Sequence, residues 1–357
     1  MESWAPCSRF NCGPCWRFST TRPRKRRCAG GWATAAASST SSCVGPNESV
    51  TRRQPMQIGM IGLGRMGGSM AQRLLRGGHQ VVAFDRDPQA VRALAEHGAA
   101  GVSSLNDLAR ELQAPRCIWV MVPAGGPTEE TIDQLAARLA RDDVIIDGGN
   151  SRYTDSIRRA ETLAVRGIGF LDVGTSGGIW GLDEGYCLMI GGEAAAIRRL
   201  TPIFQTLAPA QDAGWGRVGG SGAGHFVKMI HNGIEYGMMQ AYAEGFAILH
   251  KKDALQLDVA SIAELWRHGS VVRSWLLDLT ARALQEDPGM TSVAPYVSDS
   301  GEGRWTVAEA IDLDVAAPVI THSLIARLRS RDAESYADRL LAALRKQFGG
   351  HATRPAP

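Results

Sequence analysis

From Met56 onward, short apolar runs alternate with stretches whose apolar residues recur at helical spacing. The pattern predicts a strand from Met56 into a glycine turn, a helix over Met66–Arg76 ending at Gly77-Gly78, and a strand over Gln80–Phe84. Strands follow at Cys117–Val122, Val144–Asp147 and Ile168–Asp172, with helices at Pro127–Leu139 and Ser151–Arg166 between them. Such repetition of strand and helix implies a doubly wound, mainly parallel sheet. After Gly214–Gly224, read as a glycine-rich linker, helical periodicity dominates at Val259–Trp266, Trp275–Leu284, Thr306–Leu313, Val319–Leu328 and Ala333–Leu344. The expected fold is α/β, with an all-α C-terminal domain after the sheet.

A chain of 357 residues exceeds one ordinary core, consistent with two domains. Its net charge of +3 conceals an uneven split. Residues 1–55 carry nine Lys or Arg against Glu2 and Glu48, which leaves 30 basic and 34 acidic residues in the body. A mildly acidic body has no general electrostatic reason to bind nucleic acid. No apolar run approaches the roughly 18 residues of a membrane span. Cys117 and Cys187, in apolar strand-like contexts, read as buried thiols of a reducing, cytoplasmic compartment.

The first 55 residues lack hydrophobic periodicity and are read as a disordered extension. Cys12-Gly-Pro-Cys15 spells a redox pair, and Cys7, Cys12, Cys15 and Cys28 could gather zinc, yet neither has a folded scaffold around it. The basic, Ser-rich composition also imitates a transit peptide. Met56, directly before a strand, is the expected true start. His250, His268 and His322 are isolated from other ligand types, so no metal site is implied.

Within the body, Gly62, Gly64 and Gly67 fit G-x-G-x-x-G between a strand and a helix, as pyrophosphate binding requires. Leu63 and Met66 belong to the same turn. Asp85 closes the second strand, where a carboxylate holds ribose hydroxyls and repels a 2′-phosphate, favouring NAD. Arg86 beside it could stack on adenine or meet a phosphate, so NADP stays open. Asp87 is expected to cap the helix starting at Pro88. These features make the first folded part, 56–221, a Rossmann-like dinucleotide domain, with 222–350 as the helical substrate and dimerisation domain and 351–357 as a tail. Ligand loops belong at strand ends, and three glycine-rich segments occur there: Val122-Pro123-Ala124-Gly-Gly126, Asp147-Gly-Gly-Asn150 and Gly174-Thr-Ser176-Gly177-Gly178.

The richest segment is Gly222–Tyr236, uninterrupted by proline to Leu249. At about 100° per residue, steps of three, four and seven place His231, Asn232 and Glu235 on the face of Lys228. Charges on a helix usually mark a solvated face. Here Phe226, Val227, Met229 and Ile230 lie between them and would bury the segment, which obliges Lys and Glu to find partners or shift their pKa values.

These residues resemble the 6-phosphogluconate dehydrogenase family, within the wider 3-hydroxyacid dehydrogenases. The resemblance is carried by Gly62-Leu-Gly64-Arg-Met-Gly67, Ile146-Asp-Gly-Gly-Asn150-Ser, Ser176-Gly-Gly178, Lys228-Met-Ile-His231-Asn232-Gly-Ile-Glu235-Tyr236-Gly and Gly303-Arg-Trp305-Thr306. It spans Met56 to about Leu340. The resemblance implies oxidative decarboxylation of 6-phosphogluconate to ribulose 5-phosphate, a pentose phosphate pathway step, with NAD or NADP reduced. It implies Lys228 as base toward the 3-hydroxyl and Glu235 as the acid that protonates C1. Asn150, Ser176, Gly177, Gly178, His231 and Asn232 match positions that hold the sugar acid, while Tyr236 and Arg327 match positions that grip its phosphate. Gly62, Leu63, Gly64, Met66, Gly67, Asp85, Arg86, Val122, Pro123, Ala124 and Asn150 are the implied cofactor contacts.

The chain departs from the long family members at several points. Ile179-Trp180 replaces two glutamates, and Ser300 and Glu302 stand where a phosphate-site Lys and Thr are expected. The long tail by which a partner subunit completes the phosphate site is expected to be missing. Asp85, Pro123, Ile179 and Trp180 instead resemble the short, NAD-preferring branch, with Arg304, Arg327 or another basic residue expected to compensate. Trp266, Trp275 and Trp305 are expected in a core or an interface. Unpaired apolar helix faces lead to the expectation of a homodimer or a tetramer of dimers. The rival reading is an NAD-dependent dehydrogenase of another 3-hydroxy acid, such as an unphosphorylated aldonate or hydroxyisobutyrate. Glu302 favours that rival; His231, Asn232 and Glu235 favour the decarboxylating enzyme.

Overall fold

The computed structural model describes residues 55–333, 335–349 and 352–354. The readings of Cys7, Cys12, Cys15, Cys28 and the extension around them lie outside the described residues.

Eight strands form one sheet: β1 (Gln57–Ile61), β2 (Gln80–Phe84), β3 (Ala100–Gly101), β4 (Cys117–Val120), β5 (Val144–Asp147), β6 (Gly169–Ser176), β7 (Cys187–Gly192) and β8 (Trp215–Gly219). Their order is β3-β2-β1-β4-β5-β6-β7-β8, and every pair is parallel except β6 with β7. The connection reverses direction between β1 and β4, so the loops leaving these two strands part and open a crevice at their carboxyl ends.

Helices α1 (Arg65–Arg76), α2 (Pro88–Ala95), α3 (Leu105–Glu111), α4 (Gly126–Ala136) and α5 (Tyr153–Ala164) connect the parallel strands. The shorter α6 (Gly181–Glu184), α7 (Ala194–Arg199) and α8 (Thr201–Leu207) accompany the last two strands. Because successive strand residues point to opposite faces, both faces must be covered. Met60 joins Leu74 and Phe204 in a core on one side, and its neighbour Ile61 joins Leu108, Ile118 and Leu135 on the other. Asp87 caps α2 as expected, its carboxylate accepting from the Gln89 N–H at 2.8 Å.

The helical half comprises α9 (Ala223–His250), α10 (Val259–Trp266), α11 (Trp275–Glu286), α12 (Glu302–Asp312), α13 (Pro318–Ser330) and α14 (Tyr336–Gly349). Its core is small, built on Phe246, Ala263, Leu277 and Ala281. The boundary expected at 221/222 falls at the start of α9. That helix packs on β6 and β7 at one end and on α12 and α13 farther along, so it belongs to both halves.

Four expectations differ from the fold. Gly214–Gly224 is not simply a linker: Trp215–Gly219 pairs with β7 as the edge strand β8. Its glycines hide a strand that only the neighbouring β7 stabilises. Gly174–Ser176 is strand rather than loop, because antiparallel β7 extends β6 and pairs Ser176 with Cys187. Cys187, the first residue of β7, is exposed, whereas Cys117 is buried and its thiol is pushed up to about 12 by desolvation. β4 also ends at Val120, two residues before the expected end.

Candidate active site

The glycine turn leaves β1 at the crevice. Gly62 has φ +87°, and a Cβ there would lie 2.5 Å from the Met121 carbonyl oxygen; one on Gly67 would lie 1.9 Å from the Gly62 oxygen. A Cβ on Gly64 would meet nothing within 4 Å, so that position is open to a ligand. The first and third glycines serve packing, and the second leaves room for a pyrophosphate at the start of α1. The residues therefore fit a dinucleotide.

Asp85 ends β2 and pins this turn, its Oδ2 accepting from the Leu63 N–H at 2.6 Å and its Oδ1 from the Asp87 N–H at 2.8 Å. A carboxylate has about four acceptor sites, so both oxygens retain capacity for hydroxyls. Asp85 and Arg86 line an open cleft of about 630 Å³ with Pro88, Val91 and Ser103, suited to a nucleoside. The Arg86 guanidinium is exposed and lies 3.6 Å from Glu130. Val122, Pro123 and Ala124 lie in the β4–α4 connection, where the Pro123 carbonyl accepts from Thr128 at 2.8 Å.

A larger cavity of about 1110 Å³ lies between the carboxyl edge of the sheet and α9. It brings together Met66, Asn150, Ser176, Gly177, Gly178, Lys228, His231, Asn232, Glu235, Tyr236 and Arg327. Gly62, Leu63, Gly64, Gly67, Val122, Pro123 and Ala124 are not among its lining residues, nor is Asp85 or Arg86. Buried Asp147 shapes the turn that carries Asn150: it accepts from Ser151 Oγ at 2.7 Å and from the Gly149 N–H at 3.1 Å, and pairs with buried Arg159 at 3.2 Å.

The start of α9 is held by a group that local patterns do not reveal. Asp172, fully buried in β6, accepts from the Gly222 and His225 N–H groups at 2.7 and 2.9 Å, satisfying orphan donors at the helix N-terminus. Gly174 lets the helix press on the strand, since a Cβ there would come within 2.4 Å of the Lys228 Cβ. Lys228 is therefore placed by the sheet as well as by its helix.

Lys228 is only 8% exposed and Asn232 9%, whereas the His231 and Glu235 side chains stay partly open to the cavity. The apolar residues between them bury the segment only in part: Met229 is buried, but Phe226, Val227 and Ile230 are half-buried. Desolvation holds the Lys228 ammonium below its ordinary 10.5, against the opposing pull of Glu235, Glu302 and Cys187. Burial and the adjacent Lys228 likewise lower His231, whose Nδ1 lies 3.3 Å from Asn232 Oδ1 and 3.7 Å from Glu235. A lysine of lowered pKa with a carboxylate two turns along the same face can exchange protons at two points of one bound molecule.

At the other end, the Arg327 guanidinium sits 3.5 Å above the Tyr236 ring centre and donates to the Ser298 carbonyl at 3.0 Å. Arg304 pairs with Asp299 and is not among the cavity residues. Glu302 does line the cavity and is 3% exposed. Trp275, expected in a core or interface, is 42% exposed on the cavity wall with Ile179 and Trp180. Arg282 stacks on Trp180 at 4.7 Å. No local pattern separates such a wall tryptophan from a core one. Among the described residues there is no cluster of His, Cys, Asp and Glu able to hold a metal, and no helix long and apolar enough to cross a membrane.

Comparison with known proteins matches this arrangement to two family models. The NAD binding domain of 6-phosphogluconate dehydrogenase covers residues 57–216, and the 6-phosphogluconate dehydrogenase C-terminal domain covers 224–353. An NAD(+)-dependent, decarboxylating 6-phosphogluconate dehydrogenase of Haloferax volcanii is 45% identical over 297 residues, spanning 83% of this chain and 98% of the relative. The 6-phosphogluconate dehydrogenase of Plasmodium falciparum, solved apo, with NADP+ and with 6-phosphogluconate, superposes with a TM-score of 0.71 at 26% identity, covering 84% of this chain and 66% of that one. A 3-hydroxyisobutyrate dehydrogenase of Mycobacterium tuberculosis shares the fold with a TM-score of 0.63 at 22% identity, covering 80% of this chain and 96% of its own. The nucleotide turn, the face of α9 and the helical half all lie within the matched residues, and the chain belongs to the 6-phosphogluconate dehydrogenase family.

Proposed function

We propose that the protein oxidatively decarboxylates 6-phosphogluconate to ribulose 5-phosphate and carbon dioxide, reducing NAD(P). The observation that carries this reading is the face of α9, where a desolvated lysine and an open carboxylate enter one cavity beside the glycine turn. The nicotinamide cofactor, when bound, supplies the acceptor for the hydride leaving C3. Lys228, whose charged form burial disfavours, takes the proton of the 3-hydroxyl when neutral. Now an ammonium, it stabilises the negative charge that develops on the 3-keto oxygen as carbon dioxide departs. Glu235 delivers a proton to the carbon of the enediolate that becomes C1 of the product. Asn150, Ser176, Gly177, Gly178, His231 and Asn232 hold the sugar acid, and Tyr236 and Arg327 hold its phosphate, for which a guanidinium offers paired donors.

Gly62, Leu63, Gly64, Met66 and Gly67 cradle the cofactor phosphates, with Val122, Pro123, Ala124 and Asn150 toward the nicotinamide. Asp85 makes NAD the preferred form, since a 2′-phosphate beside that carboxylate would be repelled, and Arg86 leaves NADP as the weaker alternative. The exposed apolar residues Leu265, Ile311, Val319 and Leu341 support a homodimer or a tetramer of dimers, and we place the enzyme in the cytoplasm.

Glu302 gives a second reading its footing, because a buried carboxylate near Tyr236 disfavours a dianionic phosphate. On that reading the substrate is an unphosphorylated 3-hydroxy acid. Assay of the purified protein with NAD or NADP and with 6-phosphogluconate, gluconate or 3-hydroxyisobutyrate separates the two. NADH formation with stoichiometric carbon dioxide from 6-phosphogluconate is expected. Turnover of gluconate or hydroxyisobutyrate alone would overturn the proposal.

A further inference from the structure

Glu302 is a carboxylate of the cavity wall that none of the steps above uses. It stands in the first turn of α12, and its two oxygens have different partners. Oε1 accepts from Asn150 Nδ2 at 2.8 Å, and Oε2 accepts from Ser300 Oγ at 2.5 Å. Ser300 Oγ in turn lies 3.4 Å from the Tyr236 hydroxyl. Farther along α12, Thr306 donates to the Met229 carbonyl of α9 at 2.9 Å, and Glu309 accepts from the Tyr153 hydroxyl at 2.9 Å. Positions 302, 306 and 309 share one helix face. Asn150 and Tyr153, three residues apart where β5 passes into α5, are thus tied to that face at two points.

An ionised carboxylate accepts hydrogen bonds and cannot donate them. Asn150 must therefore turn its amide nitrogen toward Glu302, which leaves Oδ1 as the group offered to a ligand hydroxyl. A glutamine at 302 would tolerate either orientation of the amide. We propose that Glu302 is a positioning residue that fixes the orientation of Asn150, and with it the join between the cofactor-side turn and the substrate-side helix.

The inference rests on the reading of Asn150 as a ligand contact, and its test is a double-mutant cycle in the full chain. With 6-phosphogluconate, Glu302→Gln should lower kcat about tenfold while changing KM less than about threefold, since the loss is one of orientation rather than of a binding group. Glu302→Ala should lower kcat/KM strongly in the parent protein but less than about twofold in an Asn150→Ala background, because its effect passes through Asn150. The pH profile supplies a readout that a packing role would not move. The groups facing Lys228 are His231 and Glu235 from α9, Glu302 from α12 and Cys187 from β7. Removing the Glu302 charge favours neutral Lys228, so the acid limb of kcat/KM should move to lower pH in Glu302→Gln.

Independent, multiplicative losses in the double variant, or an unmoved acid limb, would overturn the proposal. Should the parent protein fail with 6-phosphogluconate, the functional reading fails separately. The same cycle read on NADH affinity then still decides whether positions 150 and 302 act together.

Discussion

The two ends of the large cavity are built in different ways. The reacting end comes from one helix, and that helix is fixed to the sheet by buried Asp172 at its N-terminus and by the close approach of Gly174 to Lys228. The distal end is assembled from α9, the loop before α12, and α13, with Tyr236, Ser300 and Arg327 drawn from each. A single rigid element can hold a base and an acid at constant spacing, as proton transfer at two carbons requires. An end made of three segments can change its charge by one substitution, and here it carries Arg327 over the Tyr236 ring. The chemistry is therefore concentrated where the fold is least free to vary, and selectivity for the far end of the substrate where it is most free.

Lys228→Met should lower kcat by about 10³-fold or more, the range for loss of a general base, and steady-state NADH formation would measure it. Activity near that of the parent protein would detach the reacting end from α9. Arg327→Ala should mainly raise KM for 6-phosphogluconate, by about ten- to a hundredfold, as expected for charged hydrogen bonds worth about 1.5–3 kcal/mol. An equal fall in kcat with KM unchanged would place Arg327 at the chemistry instead. Asp172→Asn should destabilise the fold by about 1–3 kcal/mol, because one oxygen acceptor is replaced by a donor facing an N–H group, and thermal unfolding reads this directly. An unchanged midpoint would remove the anchor assigned to α9. Tyr153→Phe loses only the bond to Glu309 and should cost about 1 kcal/mol or less with kcat nearly unchanged.

The pH dependence has a defined sign. Lys228 acts when neutral, and burial lowers its pKa below the ordinary 10.5, so kcat/KM should rise with pH through that lowered value. Glu235→Gln removes one of the charges that oppose the shift and should move the limb toward lower pH.

Features set by local spacing were legible from the residues alone. Gly62, Gly64 and Gly67 with Asp85, the Asp87 cap and the line of Lys228, His231, Asn232 and Glu235 each depend on residues close in sequence. The features that escaped depend on distant partners. β8 exists because β7 lies beside it, and β6 runs on to Ser176 for the same reason. Asp172 caps a helix that begins fifty residues later, so nothing around it marks the role. Glu302 departs from the family pattern in the sequence, but only the fold shows that it meets Asn150 across 152 positions of chain.

The separation of base and acid along α9 is tested most directly by single-turnover kinetics with 6-phosphogluconate, following NADH and ribulose 5-phosphate in the Lys228→Met and Glu235→Gln variants. Lys228→Met should give no NADH burst, whereas Glu235→Gln should keep the burst and release the five-carbon product slowly. A burst retained in Lys228→Met, or lost equally in both variants, would contradict the assignment.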